Sequence, residues 1–104
     1  MIARDQLVAR WLDLTRRVLP AMASNMASGA AWPIRLDHCF MRVCLDHAIG
    51  QPWHERVARP AIRHLTDEQL HAAIAIAERI AADPLALDAL NTQSIAWRRA
   101  SRHR

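Results

Sequence analysis

The stretch DHCFMRVCLDH, residues 37–47, is compatible with a metal site or with a buried helix, and these two interpretations lead to different folds. It contains both cysteines of the chain and two of its six histidines. On a helix, Cys39 and Cys44 lie about 140° apart around the axis and about 7.5 Å apart along it. That separation is too large for a disulfide, and the four side chains do not converge on one tetrahedral zinc ion. The stretch is therefore predicted to be a helix without a four-ligand metal site.

The predicted helix has a broad apolar face and an opposite polar face. The apolar face, whose width indicates a central and deeply buried helix, is formed by Leu36, Phe40, Val43, Cys44 and His47. The polar face is formed by Arg35, His38, Arg42 and Asp46. Arg42 and Asp46 have the i, i+4 spacing of an ion pair. Two interpretations of the polar face stay open: an internal ion-pair network with Glu55 or Asp88, or a pocket that holds an anionic group.

Cys44 and His47 are three residues apart and form a pair with recognisable chemistry. A neighbouring histidine can lower the pKa of a thiol and make it a nucleophile. The alternative is a core cysteine, since Cys is among the most buried residue types, beside a histidine that favours a helix C-terminus. A weaker hypothesis adds residues from another helix to form a metal site. We predict core packing, with no metal and no cofactor.

The first half of the chain otherwise predicts helices separated by weakly patterned segments, and no segment has the alternation typical of a strand. The first helix is predicted over residues 5–19, where Pro20 kinks or ends it. Residues 21–32 are small and predict a loose helix or a loop. A second helix is predicted from about residue 33 to 50, because Pro favours helix starts and Gly favours helix ends.

The second half of the chain has sharper helix signals. Residues 52–65 predict one or two short helical pieces that break at Pro60. Thr66–Gln69 has the spacing of a capping box and predicts the clearest helix start. Asp83-Pro84 predicts the start of the last helix, which ends in a basic tail over residues 98–104. The chain is thus predicted to be all-α, a small bundle of four main helices plus short helical pieces.

Length and composition predict one globular domain over residues 1–104, since 52% of the residues are hydrophobic and 23% are charged. No apolar run reaches the roughly 18 residues that a membrane helix needs, and the charged N-terminus is unlike a signal peptide. A soluble, cytoplasmic protein with no membrane contact is therefore predicted.

The net charge of +4 comes from 14 arginines and no lysine. Arginine favours bidentate recognition of phosphate or carboxylate, although codon bias also explains such usage. A basic patch is predicted at Arg56, Arg59, Arg63, Arg98 and Arg99. Such a patch either binds along the phosphate backbone of a nucleic acid or consists of arginines on a solvent-exposed ridge and in a frayed C-terminal tail.

Three blocks of the chain resemble a family of short, mostly bacterial proteins with an HCFMR-type helix. The blocks are RLDHCFMRVCLDHAIGQPW, ARPAIRHL and LNTQSIAWR, and the resemblance covers residues from about 19 to 99. Some members carry an N-acetyltransferase label. That activity implies a mixed sheet and a glycine-containing pyrophosphate loop, whereas this chain has two glycines, neither in that context, and no predicted strand.

Two functional hypotheses follow from these observations. The leading one is a non-enzymatic helical module that binds another macromolecule, with a protein or a second copy of the chain first and nucleic acid second. The competing one is a small enzyme or ligand-binding protein, including the acetyltransferase label, with an anion-holding pocket at His38 and Arg42. In that case the Trp53–Arg63 segment, with His54, forms the other wall of the pocket.

Overall fold

The computed structural model describes residues 3–25 and 32–102, and these two ranges contain helices and no strand. The helices are Arg4–Asp13 (α1), Leu19–Ser24 (α2), Asp37–Ile49 (α3), Ala61–His64 (α4), Asp67–Ala82 (α5) and Ala86–Arg102 (α6). A π-helical segment, Leu14–Val18, joins α1 to α2, and a 3-10 turn, Trp53–Glu55, follows α3. The predicted all-α bundle of four main helices, α1, α3, α5 and α6, is confirmed.

Helix α3 lies at the centre of the bundle and contacts α5, α6 and the π-helical segment. Its apolar face is fully buried at Phe40, Val43 and Cys44, whereas Leu36, predicted on the same face, precedes the helix and is 57% exposed. The facing stripe of α5 is equally buried, and it consists of Leu70, Ala73, Ile74, Ala77 and Ile80. Helix α5 also packs against α1, where Leu7 and Trp11 are buried. Truncating a large side chain in such a core typically costs about 3–5 kcal/mol.

The N-terminal helical region continues past Pro20 to Ser24, whereas the sequence predicted a kink or an end at this proline. A proline has no N–H, and its ring collides with the carbonyl four residues earlier in an α-helix. Here the chain widens into the π-helical segment immediately before the proline, and the Leu19 N–H donates to the Leu14 carbonyl five residues earlier. The π turn accommodates the proline without ending the helix. Part of the predicted loose segment, residues 26–31, lies outside the described residues.

Helix α3 begins at Asp37 and not at the predicted Pro33. The preceding residues, 32–36, are irregular and not helical, and Trp32 and Ile34 are buried. The Trp32 ring meets the Phe40 ring edge-on, with 5.8 Å between centroids. Burial of these side chains in the bundle therefore outweighs the tendency of Pro33 to start a helix. The predicted end is confirmed, because Gly50 takes the left-handed conformation at φ 83° and its N–H donates to the Asp46 carbonyl at 2.7 Å.

The capping box of α5 is confirmed. The Thr66 hydroxyl accepts from the Gln69 N–H at 3.0 Å, and the Gln69 side-chain oxygen accepts from the Thr66 N–H at 2.9 Å. The predicted start of α6 at Asp83-Pro84 is displaced to Ala86, because Asp83 caps the end of α5 and the next two residues form a turn. Helix α6 continues to Arg102, so residues 98–102 are helical and not a frayed tail.

The segment between α3 and α5 contains two short helical pieces, as predicted, and the second begins directly after Pro60. It crosses the surface beside α3, with Val57 and Leu65 buried and Trp53 partly buried. This position makes it a wall of the groove described below. Within residues 3–25 and 32–102, no helix combines the length and the apolar character needed to cross a bilayer.

A candidate anion-binding groove beside a buried polar network

Asp46 is fully buried in α3, and its carboxylate accepts four hydrogen bonds. Its Oδ1 accepts from the Trp53 backbone N–H at 2.9 Å and from the Arg98 guanidinium at 3.0 Å. Its Oδ2 accepts from the Arg98 Nε at 2.8 Å and from the Ser94 hydroxyl at 2.7 Å. A carboxylate has about four acceptor sites, so the acceptor capacity of Asp46 is used up.

Arg42, one turn earlier on α3, is held by neutral oxygens. Its guanidinium donates to the Ser94 hydroxyl oxygen at 2.9 Å and to the Asn91 side-chain oxygen at 2.7 Å. The Ser94 proton points to Asp46, which leaves a lone pair of the hydroxyl for Arg42. Among the described residues, no carboxylate oxygen lies within 4.0 Å of Arg42.

The polar face of α3 thus forms an internal network, but with partners that the sequence did not indicate. The expected i, i+4 ion pair between Arg42 and Asp46 does not form, since Arg98 occupies the carboxylate. Glu55 and Asp88, the expected partners, are exposed and lie outside the network. We call the group formed by Arg42, Asp46, Asn91, Ser94 and Arg98 the Asp46 network. In it Arg98 balances Asp46, and the charge of Arg42 is in excess.

Arg42 also lines a groove of about 280 Å³ between the N-terminal helical region, α3 and the segment after α3. The basic side chains of the groove are Arg16, His38 and Arg42. The apolar side chains include Trp11, Met41, Leu45, Trp53 and Ile62. Of the described residues that line the groove, none is acidic. An apolar cleft with a few convergent polar groups is the usual form of a ligand site.

The charges of the groove differ in how far they are balanced. Arg16 is exposed, and its neighbour Arg17 is the one that pairs with Asp13, at 2.5 Å. The Nδ1 atom of His38 lies 3.6 Å from the Asp37 carboxylate. Arg42 is partly buried, which strengthens its field because water screens it less. The groove is therefore positive, and Arg42 is its least screened charge.

The other predicted ligand-binding residues lie outside this lining. Arg35 is exposed in the irregular segment before α3. Asp46 lies behind Arg42 and is closed to solvent. His54 is exposed and lines a separate concavity of about 240 Å³ with Arg98 and Ser101. The structure thus brings His38 and Arg42 to the groove and leaves the remaining three candidates apart.

The predicted basic patch is divided in a similar way. Arg56, Arg59 and Arg63 are exposed on the segment after α3, and the Arg59 guanidinium lies 5.7 Å from the centre of the Trp53 ring. Arg98 belongs to the Asp46 network, with 27% of its side chain exposed. Arg99 is exposed on α6.

Cys44 and His47 both contribute to the packing of α3. Cys44 is fully buried, and burial raises the pKa of its thiol far above the usual range, so the thiol stays protonated. The His47 Nε2 lies 2.8 Å from the Leu90 carbonyl oxygen, and its ring lies 5.0 Å from the Trp97 ring. In the described part of the chain, no three His, Cys, Asp or Glu side chains are grouped as metal ligands.

Several residues of the site had weak or absent signals in the sequence. Asn91, Ser94 and Arg98 have i, i+3, i+7 spacing on α6, which places them on one face of that helix. The structure shows that this face bonds to Arg42 and Asp46 of α3. Nothing in the sequence indicated that Arg16 lies beside Trp11, because residues five apart face different sides of an α-helix. The π-helical segment brings it to the same groove as Trp11, and such π segments are frequent at functional sites.

No family model, curated protein or solved structure matches this chain. The resemblance to proteins with an N-acetyltransferase label stays a prediction. What the protein does has to follow from the geometry and the charge of the groove.

Proposed function

We propose that this protein is a non-enzymatic binding module that holds a segment of a partner protein in the groove. One observation supports this more than any other: Arg42 is partly buried and lines the groove, and its hydrogen-bond partners are neutral oxygens. A guanidinium removed from water is costly unless an anion compensates it. A carboxylate of the partner would supply that compensation.

A protein segment fits the lining better than a large cofactor does. The volume of about 280 Å³ is at the lower limit of small-molecule sites, which range over roughly 300–1,000 Å³. It suits one acidic residue and an adjoining apolar side chain. Trp, Met and Arg, which line the groove, are the residue types enriched at protein interfaces.

The groove supports binding more than catalysis. General acid–base and nucleophilic mechanisms need a second group within hydrogen-bond reach of the first. Of the described residues that line the groove, none is acidic and none is a cysteine, and the Asp37 carboxylate, 3.6 Å from the His38 Nδ1 atom, lies outside the lining.

A peptide titration followed by NMR tests the proposal. The probes are synthetic hexapeptides that combine one Glu with Leu, Phe or Trp, and the controls carry Gln in place of Glu. The four indole N–H signals report position, since Trp11 and Trp53 line the groove whereas Trp32 and Trp97 do not. We expect the Glu peptides to shift the signals of Trp11 and Trp53 and to leave those of Trp32 and Trp97 in place.

Other outcomes would overturn the proposal. If the Glu peptides leave all four indole signals unchanged, the groove is not the site of a partner segment. If instead a 20-nucleotide single strand binds with a steep salt dependence through Arg56, Arg59 and Arg63, nucleic acid is the partner. Transfer of an acetyl group from acetyl-coenzyme A to a peptide amine would favour the enzymatic alternative.

A further inference from the structure

Among the described residues that line the groove, one side chain ordinarily changes its charge near neutral pH. Arg16 and Arg42 stay protonated at every physiological pH, and no described lining residue is acidic. An imidazole ordinarily gains or loses its proton between about pH 5 and 8, so protonation of His38 adds a third positive charge to the two arginines. The charge that an acidic segment meets in the groove therefore depends on the pH.

His38 and Arg42 are neighbours on the surface of α3, because they are four residues apart in one helix. Two positive charges at this spacing repel each other when the imidazole is protonated. An anion in the groove relieves that repulsion, since it attracts both side chains. Binding of the anion therefore favours the protonated form of His38, and by linkage protonation strengthens binding by the same factor.

Asp37 is the acid that competes with a ligand for His38. Its carboxylate lies 3.6 Å from the His38 Nδ1 atom and also accepts the His38 backbone N–H at 2.8 Å. The His38 side chain is 73% exposed and that of Asp37 is 50% exposed. An ion pair this exposed contributes little, because water and salt screen it. A protonated His38 therefore remains available to an anion that enters the groove.

The other elements around the groove add no second titrating group to its described lining. The N-terminal helical region contributes Arg16. The segment after α3 contributes side chains that do not titrate, namely Trp53, Pro60, Ala61 and Ile62. Arg59, Arg63 and His64 of that segment are exposed and lie outside the lining, with the His64 Nδ1 atom 3.0 Å from the Pro60 carbonyl oxygen. We propose that the groove binds its acidic segment together with a proton, and that His38 takes up this proton.

This inference rests on the proposed binding of a partner segment, and titrations at two pH values separate the two. The probes are the Glu and Gln hexapeptides with Leu and Phe, capped at both ends, and affinities are measured from the indole signals of Trp11 and Trp53. Glu keeps its charge in both titrations, since its ordinary pKa is about 4.3. We expect the Glu peptide to bind about two- to fivefold tighter at about pH 5.5 than at about pH 7.5, the effect of one exposed ion pair. The affinity of the Gln peptide should stay the same.

Three variants test whether His38 is the source of the pH dependence. His38→Gln should bind the Glu peptide equally at both pH values, because the titrating group is gone. His38→Arg keeps a positive charge at both pH values, so at pH 7.5 it should bind about as tightly as the wild type does at pH 5.5. His38 is exposed, and both variants should keep the fold. His71→Gln is the matched control, since His71 is exposed on α5 outside the lining, and it should keep the dependence.

A second measurement reads the proton directly. In NMR spectra of the wild type, the midpoint of the His38 imidazole titration should move to higher pH when the Glu peptide is present and should not move with the Gln peptide. A histidine with a merely structural role would titrate alike in both cases.

The outcomes distinguish the two claims. Equal binding of the Glu peptide at both pH values, or a pH dependence that persists in His38→Gln, overturns the proton-linked binding and leaves the binding module standing. A loss of the dependence in His71→Gln as large as that in His38→Gln also overturns it, because the effect then comes from the overall charge. Failure of the peptides to bind at either pH overturns the proposed function itself.

Discussion

Asp46 is the residue on which the polar interior of the bundle depends. It joins α3 to α6 through Arg98 and Ser94, and to the start of the following segment through the Trp53 N–H. A fully buried carboxylate is tolerated because all of its acceptor sites are used. Its removal would leave a guanidinium, a hydroxyl and a backbone N–H without their acceptor.

Asp46→Ala should therefore lower the free energy of unfolding by about 3 kcal/mol. This is the lower end of the range for breaking a buried pair, because Arg98 keeps 27% of its side chain exposed and regains some hydration. Urea denaturation followed by circular dichroism measures the effect. The matched control is Asp37→Ala at the exposed start of the same helix, which should cost no more than about 1 kcal/mol, because the Asp37 carboxylate only accepts the exposed His38 N–H in the first turn. Equal effects of the two substitutions would contradict the account of Asp46.

Cys44 should make the fold sensitive to alkaline pH. Burial raises the pKa of its thiol above the ordinary value of 9.0, so the folded chain keeps a proton that the unfolded chain loses. The stabilising contribution is fully present below about pH 9 and is lost as the pH rises above it. Relative to Cys44→Ala, the wild type should lose up to about 1.4 kcal/mol of unfolding free energy per pH unit above 9. Denaturation curves from pH 8 to 10.5 measure the slope, and an identical slope in both proteins would exclude Cys44 as its source.

Among the helices, α5 has the most local determinants. Its capping box and apolar stripe are both readable in the sequence and both present in the structure. Thr66→Ala should cost about 1 kcal/mol of stability, the usual cost of losing a side-chain cap. Thr92→Ala, at an exposed position inside α6, is the matched control and should be nearly neutral. Comparable losses in thermal melts of the two variants would contradict the role of the capping box.

The start of α3 and the position of Arg16 show why other elements were not predictable. Pro33 gives a local start signal, but burial of Trp32 and Ile34 keeps that stretch out of the helix. Arg16 reaches the groove through the π-helical segment, whose register depends on Pro20 and on packing that periodicity does not encode. Features that are determined within one helix were therefore predictable from the sequence, whereas features determined by contacts between helices were not.

The same distinction applies to the candidate site. The polar face of α3 was visible from helical spacing, and it suggested His38 and Arg42 together. That Asp46 would pair with Arg98, more than fifty residues later, depends on how α6 lies against α3. The sequence left open an ion-pair network or a pocket. The structure has both, since Arg42 belongs to the network and lines the groove.

At the scale of the whole molecule, the groove is assembled from parts far apart in the chain. Arg16, Arg42 and Trp53 come from three different elements, and the Asp46 network fixes the last two relative to each other. Binding should therefore depend on the intact bundle. We expect Arg42 to offer its charge to a ligand and not to be required for the fold.

Substitution of Arg42 by Met tests this claim most directly. The variant keeps the apolar volume, removes an unbalanced charge and leaves the buried Asn91 oxygen without its donor, so its unfolding free energy should fall by about 1–3 kcal/mol while the protein stays folded. Arg17→Met, at an exposed position beside Arg16, is the matched control and should keep the preference for the Glu peptide over the Gln peptide. In NMR titrations we expect folded Arg42→Met to bind the two peptides equally. An Arg42→Met protein that still prefers the Glu peptide, or one that fails to fold, would contradict the account.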